Sequence, residues 1–535
     1  MKPYVSSPMP PVDIPAVDLP TFFFNRARQN QHSDRKEARP LFVDGTSLNG
    51  LSLTLRQMQV LCDQLASGFY HRMCLRPGDV IAVFMPNSIY YSAVVFAALM
   101  TGAACTLANP AYTARELAHQ LEDSKAMLVI TTAELYDTVS QVFDTPETRN
   151  NVLVIDSGEA ANGLCSIFDI LDKQTYPRFY FKDDAESTST PAFIPYSSGT
   201  TGLPKGVVLS HRNIISNILQ TEAIQKLSPA MNTERTSVAV LPMFHSFGLL
   251  FLCFLMPISA ITTVVIPKFE LPLFLRLVEE HRATEAMLVP PIIVALAKTF
   301  ITDQYNLTSL KEVIVGAAPL DQDTITAIEL KMPHLKILQG YGLSECSPAI
   351  SLNPIGDRRT ASVGCLLPNI DAMVLDETGR VLGPSESGEL CFRGPNNMIG
   401  YLNNCKETRL TIDSHGFLHT GDIGYITSEQ FVYVTDRKKE LIKFNGFQVA
   451  PAELEGLLLQ HPHVKDCAVI GVYDESRKTE VPRAFLVLKS PDKAEAVVKW
   501  LNERVAYYKR LRGGYAIVDA IPKSTSGKIL RRMLK

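Results

Sequence analysis

The chain has 535 residues, 20% of them charged, with a formal net charge of −3 at neutral pH. That length exceeds what one hydrophobic core organises, so at least two domains are expected. The charge balance leaves no basic field for nucleic acid or an anionic membrane. Ten cysteines with no CxxC or paired spacing read as free or buried thiols of a reducing compartment, not as a disulfide framework.

Residues 1–20 hold six prolines and no apolar stretch of signal-peptide length, which predicts an extended arm. From there to about residue 340 strand and helix patterns alternate. Asp79 to Met85 reads as a strand closed by Pro86-Asn87, and helical spacing follows from Ile89 to Met100, with Gly102 as the stop. An amphipathic segment, Ala114 to Leu121, precedes a strand at Ala126 to Ile130. Ser237 to Leu241 is a strand leading into Pro242 and His245. Phe247 to Ile266 is almost wholly apolar, but Pro257 interrupts it and Thr262-Thr263-Val264-Val265-Ile266 is β-branched. A buried helix followed by a buried strand is predicted there, not a membrane span. Lys311 to Val315 runs into Gly316, and Leu335 to Leu338 runs into Gly340. Loops at the C-terminal ends of such strands are where α/β sheets place ligands. Between about residues 362 and 435 the strands shorten and turns multiply, which predicts a small β-rich unit. The last hundred or so residues carry their own strand and helix pattern.

One loop carries unusual chemistry. Tyr196 to Gly206 contains four Ser or Thr hydroxyls and three glycines and includes Lys205. Glycines let backbone N–H groups approach an anion, hydroxyls donate to it, and the lysine adds charge. Apolar residues on both sides, Ile194 and Val207-Val208-Leu209, predict strand, tight loop, strand. A Walker loop is excluded, because Pro204 precedes the lysine and Gly206 follows it. Gly342-Leu343-Ser344-Glu345-Cys346 lacks the closing glycine of a hydrolase nucleophile elbow. His461-Pro462-His463 has no nearby Cys or acidic ligand pattern and reads as a surface turn, not a metal site.

Taken with further blocks in order, this loop resembles the signature of the adenylate-forming superfamily of acyl-CoA synthetases, firefly-type luciferases and adenylation domains. The blocks are Pro242-Met243-Phe244-His245, Gly316-Ala317-Ala318-Pro319-Leu320, Gln339 to Glu345, His419-Thr420-Gly421-Asp422, Asp436 to Lys443 through Pro451, and Pro522 to Lys528. Asn109-Pro110-Ala111-Tyr112-Thr113 and Gly446 to Pro451 look most like 4-coumarate–CoA ligases and their relatives. The resemblance implies an α/β fold. Its large N-terminal domain, residues 1–438, would hold several αβ sheets and the β-rich unit at about 362–435. Its small, mobile α+β domain, residues 439–535, would pivot at Lys439.

The resemblance also implies an ATP-dependent ligase that forms an acyl-AMP from a carboxylic acid and passes the acyl group to coenzyme A. Ser197, Ser198, Gly199, Thr200, Thr201 and Lys205 would hold the phosphates. Gln339, Gly340, Tyr341, Ser344 and Gln448 would also bind the nucleotide, Tyr341 by stacking on adenine, while Asp422 would accept the ribose hydroxyls and Arg437 would contact the ribose or phosphate. Thr200 and Glu345 would hold Mg²⁺. Lys528 would act in the first step and Lys443 in the second, with His245 positioning the acid. His245, Phe247, Phe251, Ala317, Gly342 and Pro348 would line the acid pocket, and Lys268, Gly446 and Phe447 would meet coenzyme A. Ordinary structural roles stay open: a solvated tail lysine for Lys528, a turn cap for Asp422, a hinge ion pair for Arg437, a core aromatic for Tyr341, a surface lysine for Lys268.

Two positions depart from the plant coumarate ligases. Phe247 stands where those enzymes often carry Tyr, and Phe251 stands near a small polar position. A site built to bind a hydroxyl needs a partner for it, so cinnamate, a substituted phenylacetate or a medium-chain acid is expected over 4-coumarate. Lys298 or a backbone carbonyl is the alternative hydroxyl partner. Asn445 replaces a common lysine, and Ser344 a usual Thr. A luciferase-like oxygenase and a 4-coumarate-specific ligase are the competing readings. Seven residues follow Lys528, which predicts no fused carrier domain. The end Met533-Leu534-Lys535 is not a Ser-Lys-Leu-type address, so the cytoplasm is expected, or the peroxisome if a tail continues the chain.

Overall fold

The computed structural model describes residues 4–30, 39–47, 50–143, 145–156, 161, 163–197, 204–225, 234–318, 320, 322–354, 359, 361–438, 440–444, 447–475, 477, 479–524 and 527–534. Side chains of Pro146, Glu147, Lys443, Phe447 and Gln448 are outside that description. The fold is mixed α/β, with a large N-terminal and a small C-terminal domain.

Two sheets of mostly parallel strands form the centre of the large domain. One, of seven strands, runs Gly400–Tyr401, Lys205–Ser210, Pro191–Ser197, Ala104–Leu107, Val80–Val83, Leu128–Thr131 and Val152–Val154. The other, of nine, has the parallel run Lys336–Gly342, Glu312–Val315, Glu285–Leu288, Thr236–Ala239, Thr262–Val265 and Pro40–Asp44 at its heart. Their strands are short, apolar and buried on both faces, the pattern of parallel sheets covered by helices. The helix Tyr91–Met100 is buried along its whole length, which matches its apolar sequence all round. By contrast Ala114–Ser124 is amphipathic and starts at a capping box. The Thr113 hydroxyl accepts the Glu116 N–H, and the Glu116 carboxylate accepts the Thr113 N–H at 2.9 Å.

The apolar run after His245 is a helix and then a strand, as its sequence predicts. A short α-helix, Ser246–Gly248, continues as a π-helix, Leu249–Leu255, and the strand is Thr262–Val265. Among the described residues no helix is long and apolar enough to cross a membrane. The ten cysteines are free. His461 and His463 lie at a turn, with the His461 ring edge-on to Trp500 at 5.2 Å.

The β-rich unit is a five-stranded antiparallel sheet of Val5–Ser6, Asp371–Leu375, Gly388–Arg393, Leu418–Ile426 and Val432–Arg437. Its first strand comes from the arm that the prolines led us to expect as merely extended. Val5 pairs with Ala372, and the Ser6 hydroxyl donates to Asp371 at 2.7 Å. Proline spacing gives no sign of this pairing, because the partner lies far along the chain. The C-terminal residues form a separate core around Ile442, Leu454, Val469, Leu486 and Val497, beneath a three-stranded sheet and the helices Pro451–Gln460 and Ala494–Asn502.

Candidate active site

The C-terminal ends of the strands Glu312–Val315 and Lys336–Gly342, and the loop after Thr236–Ala239, open into a cavity of about 1300 Å³. The β-rich sheet supplies another wall, with Glu389, Thr420, Gly421, Arg437 and Lys438. From the C-terminal segment Lys523, Ser524 and Lys528 reach in. Gly342 holds a tight approach: a Cβ there would stand 2.0 Å from the Pro348 carbonyl oxygen, so any other residue would push the wall apart.

One end of the cavity is polar. Cross-strand register sets Asp422 opposite Arg437. Arg437 Nε lies 3.2 Å from Asp422 Oδ1, and the Tyr341 hydroxyl donates to Asp422 Oδ2 at 2.6 Å. Asp422 is buried, with Arg437 at one of its oxygens and the Tyr341 hydroxyl at the other. Burial pushes its carboxyl pKa up, and Arg437, the Tyr341 hydroxyl and Lys528 oppose that push. Glu345 Oε1 accepts from the Ser197 hydroxyl at 3.2 Å and from the Tyr401 hydroxyl at 2.9 Å. Lys205 Nζ pairs with Glu407 at 2.5 Å and lies 5.2 Å from the Tyr401 ring centre. The Lys528 ammonium is pushed down to about 8 by burial and by Arg437, while Glu440, Asp422 and Glu345 pull the other way.

These groups suit a nucleotide with a divalent cation. Mg²⁺ is usually held by one or two carboxylates together with phosphate oxygens and water. Glu345, with Oε1 taking two hydroxyl donors, offers one such carboxylate. Among the described residues no group of three or more His, Cys, Asp or Glu side chains forms a closed metal cage.

The other end is apolar. Phe247 and Phe251 meet edge to face, with ring centres 5.1 Å apart and planes at 88°, a favoured aromatic geometry. Both line the cavity with Ile314, Gly316, Ala317 and Pro348. A Cβ on Gly316 would crowd the Phe247 ring at 3.2 Å. His245 caps the helix start: its Nδ1 accepts the Phe247 N–H at 3.3 Å, which assigns the ring proton to Nε2. Burial pushes the imidazole down to about 4, so it is neutral at pH 7. The Ser246 and Ser344 hydroxyls pair at 3.0 Å.

The cavity thus brings together Ser197, Lys205, Gly340, Tyr341, Ser344, Glu345, Arg437 and Lys528 at its polar side, and His245, Phe247, Phe251, Ala317, Gly342 and Pro348 at its apolar side. Gln339 is buried outside the lining, with its N–H donating to the Asn353 side chain at 2.9 Å. Lys268 is exposed beyond the strand Thr262–Val265 and does not line the cavity. Lys298, the alternative hydroxyl partner, is likewise exposed and away from it. Ser198, Gly199, Thr200, Thr201, Lys439 and Gly446 lie outside the described residues. Lys443, Phe447 and Gln448 have described backbones, in the hairpin Ile442–Phe444 with Phe447–Val449, but their side chains lie outside the description.

Lining residues that were not singled out from sequence include Glu389, Tyr401 and Glu407. Glu389 accepts the Gly421 N–H at 3.2 Å and pairs with Lys438 at 2.7 Å. Nearby, His419 lies 3.8 Å from Glu389 and 3.6 Å from Asp413. The signal for Glu389 was a lone acid at the start of the strand Gly388–Arg393, otherwise mostly apolar up to Phe392. Tyr401 and Glu407 give no local signal, since their partners are reached only through the fold.

Known proteins are similar to this chain in sequence and in fold. The sequence model of the AMP-binding enzyme family matches residues 29–402, and that of the AMP-binding enzyme C-terminal domain matches residues 453–528. The chain is 37% identical to a probable 4-coumarate–CoA ligase 3 of Dictyostelium discoideum, over 99% of this chain and 97% of that one. It is 36% identical to 4-coumarate–CoA ligase 1 of Petroselinum crispum, over 91% and 89% of the two chains. Among solved structures, ATP-bound MatB from Rhodopseudomonas palustris superposes with a TM-score of 0.78 at 26% identity, covering 96% of this chain and 98% of that one. The chain belongs to the AMP-binding, adenylate-forming enzyme family.

Proposed function

We propose that the protein activates an apolar aryl or acyl carboxylic acid, cinnamate-like or medium-chain, with ATP and passes the acyl group to coenzyme A. A carboxylate oxygen attacks the α-phosphorus of ATP, the bond to the pyrophosphate oxygen breaks, and an acyl-AMP forms. The coenzyme A sulfur then attacks the acyl carbonyl, AMP leaves, and the thiol proton goes to solvent. In the first step two anions meet, so the site must supply positive charge and alignment. One observation carries this reading: Lys528 reaches the cavity that also holds Arg437, Tyr341, Glu345 and the Phe247–Phe251 pair. With its pKa near 8 the lysine is mostly cationic at pH 7.

Lys205 with the hydroxyl loop holds the phosphates, and Asp422 and Arg437 hold the ribose side. A Mg²⁺ ion, when bound, neutralises phosphate charge, and Glu345 with Thr200 is its proposed holder. His245 offers its neutral Nε2–H to position the acid. For the second step the small domain pivots at Lys439, and Lys443, Gln448, Gly446 and Phe447 take over, with Lys268 at the coenzyme A phosphate. The ten free cysteines suit a reducing compartment, the cytoplasm or the peroxisome.

A screen of carboxylic acids by pyrophosphate release, with and without coenzyme A, tests the reading. Turnover with cinnamate or octanoate that yields a coenzyme A thiolester is the expected result. Oxygen uptake or light without coenzyme A would instead favour an oxygenase working on the same adenylate. The relatives named 4-coumarate–CoA ligase support a second reading, a 4-coumarate-specific ligase. A strong preference for 4-coumarate over cinnamate in a steady-state comparison would establish it.

A further inference from the structure

The segment that carries Lys528 is a short hairpin staked at both ends. Inside it, the Ser524 N–H donates to the Lys528 carbonyl at 2.8 Å, the Lys528 N–H donates to the Ser524 hydroxyl at 3.1 Å, and the Leu530 N–H donates to the Pro522 carbonyl at 2.8 Å. At one end Lys523 Nζ lies 2.6 Å from Asp466 Oδ2. At the other end, just past Lys528, Arg531 turns back into the body of the small domain. Its Nη1 lies 2.7 Å from Glu440, its Nη2 lies 2.7 and 2.8 Å from the two oxygens of Glu455, and its Nε donates to the Val469 carbonyl at 3.2 Å. The Arg531 side chain is 15% exposed.

This fork is specific to arginine, since a lysine presents one point charge and cannot hold three acceptors in a plane. The acceptors are what make it a lever on the site. Glu440 sits in the turn that follows Arg437, and its N–H donates to the Arg437 carbonyl at 2.9 Å. Arg437 is the partner of Asp422. Glu455, on the helix Pro451–Gln460, also accepts the Val469 N–H at 2.7 Å. Asp436 is a further carboxyl of the same neighbourhood and is buried, with the N–H groups of Arg437 and Ala452 donating to it. One guanidinium therefore ties the Lys528 hairpin to the turn behind Arg437, against carboxylates that repel one another without it.

We propose that Arg531 is a positioning residue for acid activation: it fixes the reach of Lys528 into the cavity relative to Arg437 and Asp422. The proposal rests on the reading of Lys528 as the cation of adenylate formation. The test measures two half-reactions, pyrophosphate release with acid and ATP, and thiolester formation from supplied acyl-AMP, in Arg531→Met, Arg531→Lys and the double variant Arg531→Met/Glu455→Gln. The double variant removes the more buried of the two carboxylates that lose Arg531, so it keeps the experiment readable if Arg531→Met folds poorly. A displacement of about 1 Å at a reacting group costs on the order of 100-fold. The expected result is a loss of that size in kcat for adenylate formation in Arg531→Met and the double variant, with KM for ATP and the thiolester step within about threefold of wild type. Arg531→Lys should recover little of the rate. Adenylate formation at the wild-type rate in the double variant overturns the proposal, and so does an equal loss in both half-reactions. Lys528→Met run alongside separates the premise: if it keeps full adenylate formation, the reading of Lys528 has failed, whatever Arg531 does.

Discussion

The two ends of the cavity are built by different means. At the polar end each group is held by a partner on another strand or segment: Asp422 by Arg437 and Tyr341, Glu345 by Ser197 and Tyr401, Lys205 by Glu407. At the apolar end two rings on consecutive helical turns, Phe247 and Phe251, set the wall by packing alone. The first kind of site is fixed by strand register and tolerates little change, because a buried charge that loses its partner is costly. The second kind is tuned by volume and by single hydroxyls. A chain can therefore keep the nucleotide chemistry of its family while changing the acid it takes.

The sharpest break in that comparison is Lys528→Ala. Removing a charge aimed at the transition state costs about 10²- to 10³-fold, so adenylate formation should fall by that much, while thiolester formation from supplied acyl-AMP is largely spared. Pyrophosphate release and thiol consumption, measured separately, check it; equal losses would remove the division of labour between Lys528 and the segment around Lys443. At the other end, Phe247→Tyr should raise kcat/KM for 4-coumarate relative to cinnamate. A buried phenol without a partner costs roughly 1–3 kcal/mol, or about 5- to 150-fold, and that is the discrimination expected of the wild type. No change in the ratio would mean that the rings do not face the acid.

Between these lies a pH effect confined to the polar end. Lys528 loses its proton in the folded protein near pH 8, below its ordinary 10.5. If only the cation works, the rate of adenylate formation should drop about tenfold per pH unit above that point. Lys528→Arg should flatten this limb, which a pH–rate profile of pyrophosphate release would reveal. The smallest effect belongs to the wall behind. The His419 imidazolium and Lys438 hold the Glu389 carboxyl down to about 2, and Glu389 in turn raises His419. A depressed carboxyl stabilises the fold above its unfolded pKa and loses that contribution as pH falls from 4.5 towards 2. A raised histidine contributes fully below its unfolded value of 6.5 and loses it as pH rises through the folded value. Tm should therefore show a shallow maximum between pH 4.5 and 6.5, of about 2 °C or less for a chain this long. Glu389→Gln should remove it in a thermal scan.

Most of the sheets were legible, because short apolar runs such as Glu312–Val315 and Val80–Val83 end at glycine or proline turns. The motif residues that meet in the cavity were legible too, since each block carries its own turn chemistry. What escaped is the set of contacts between distant segments. Glu407 and Arg531 look like ordinary surface charges until the fold brings Lys205 and Glu455 to them. The π-helical turn holding Phe251 escaped for another reason: its sequence, Leu249–Leu255, is apolar throughout, so no periodicity distinguishes one helical pitch from another.

The strand Val5–Ser6 bears on how such a chain is made. It closes the edge of the sheet that holds Asp422 and Arg437, and it does so with a hydrogen bond between residues 365 positions apart. On the ribosome this segment must wait for its partner until Asp371–Leu375 has been synthesised. Until then Val5–Ser6 is itself an open strand, available to any other strand that comes near. Loss of the pairing at Val5 and Ser6 would therefore uncover Asp371–Leu375, in the sheet that holds Asp422 and Arg437, and leave the wall of Phe247 and Phe251 untouched.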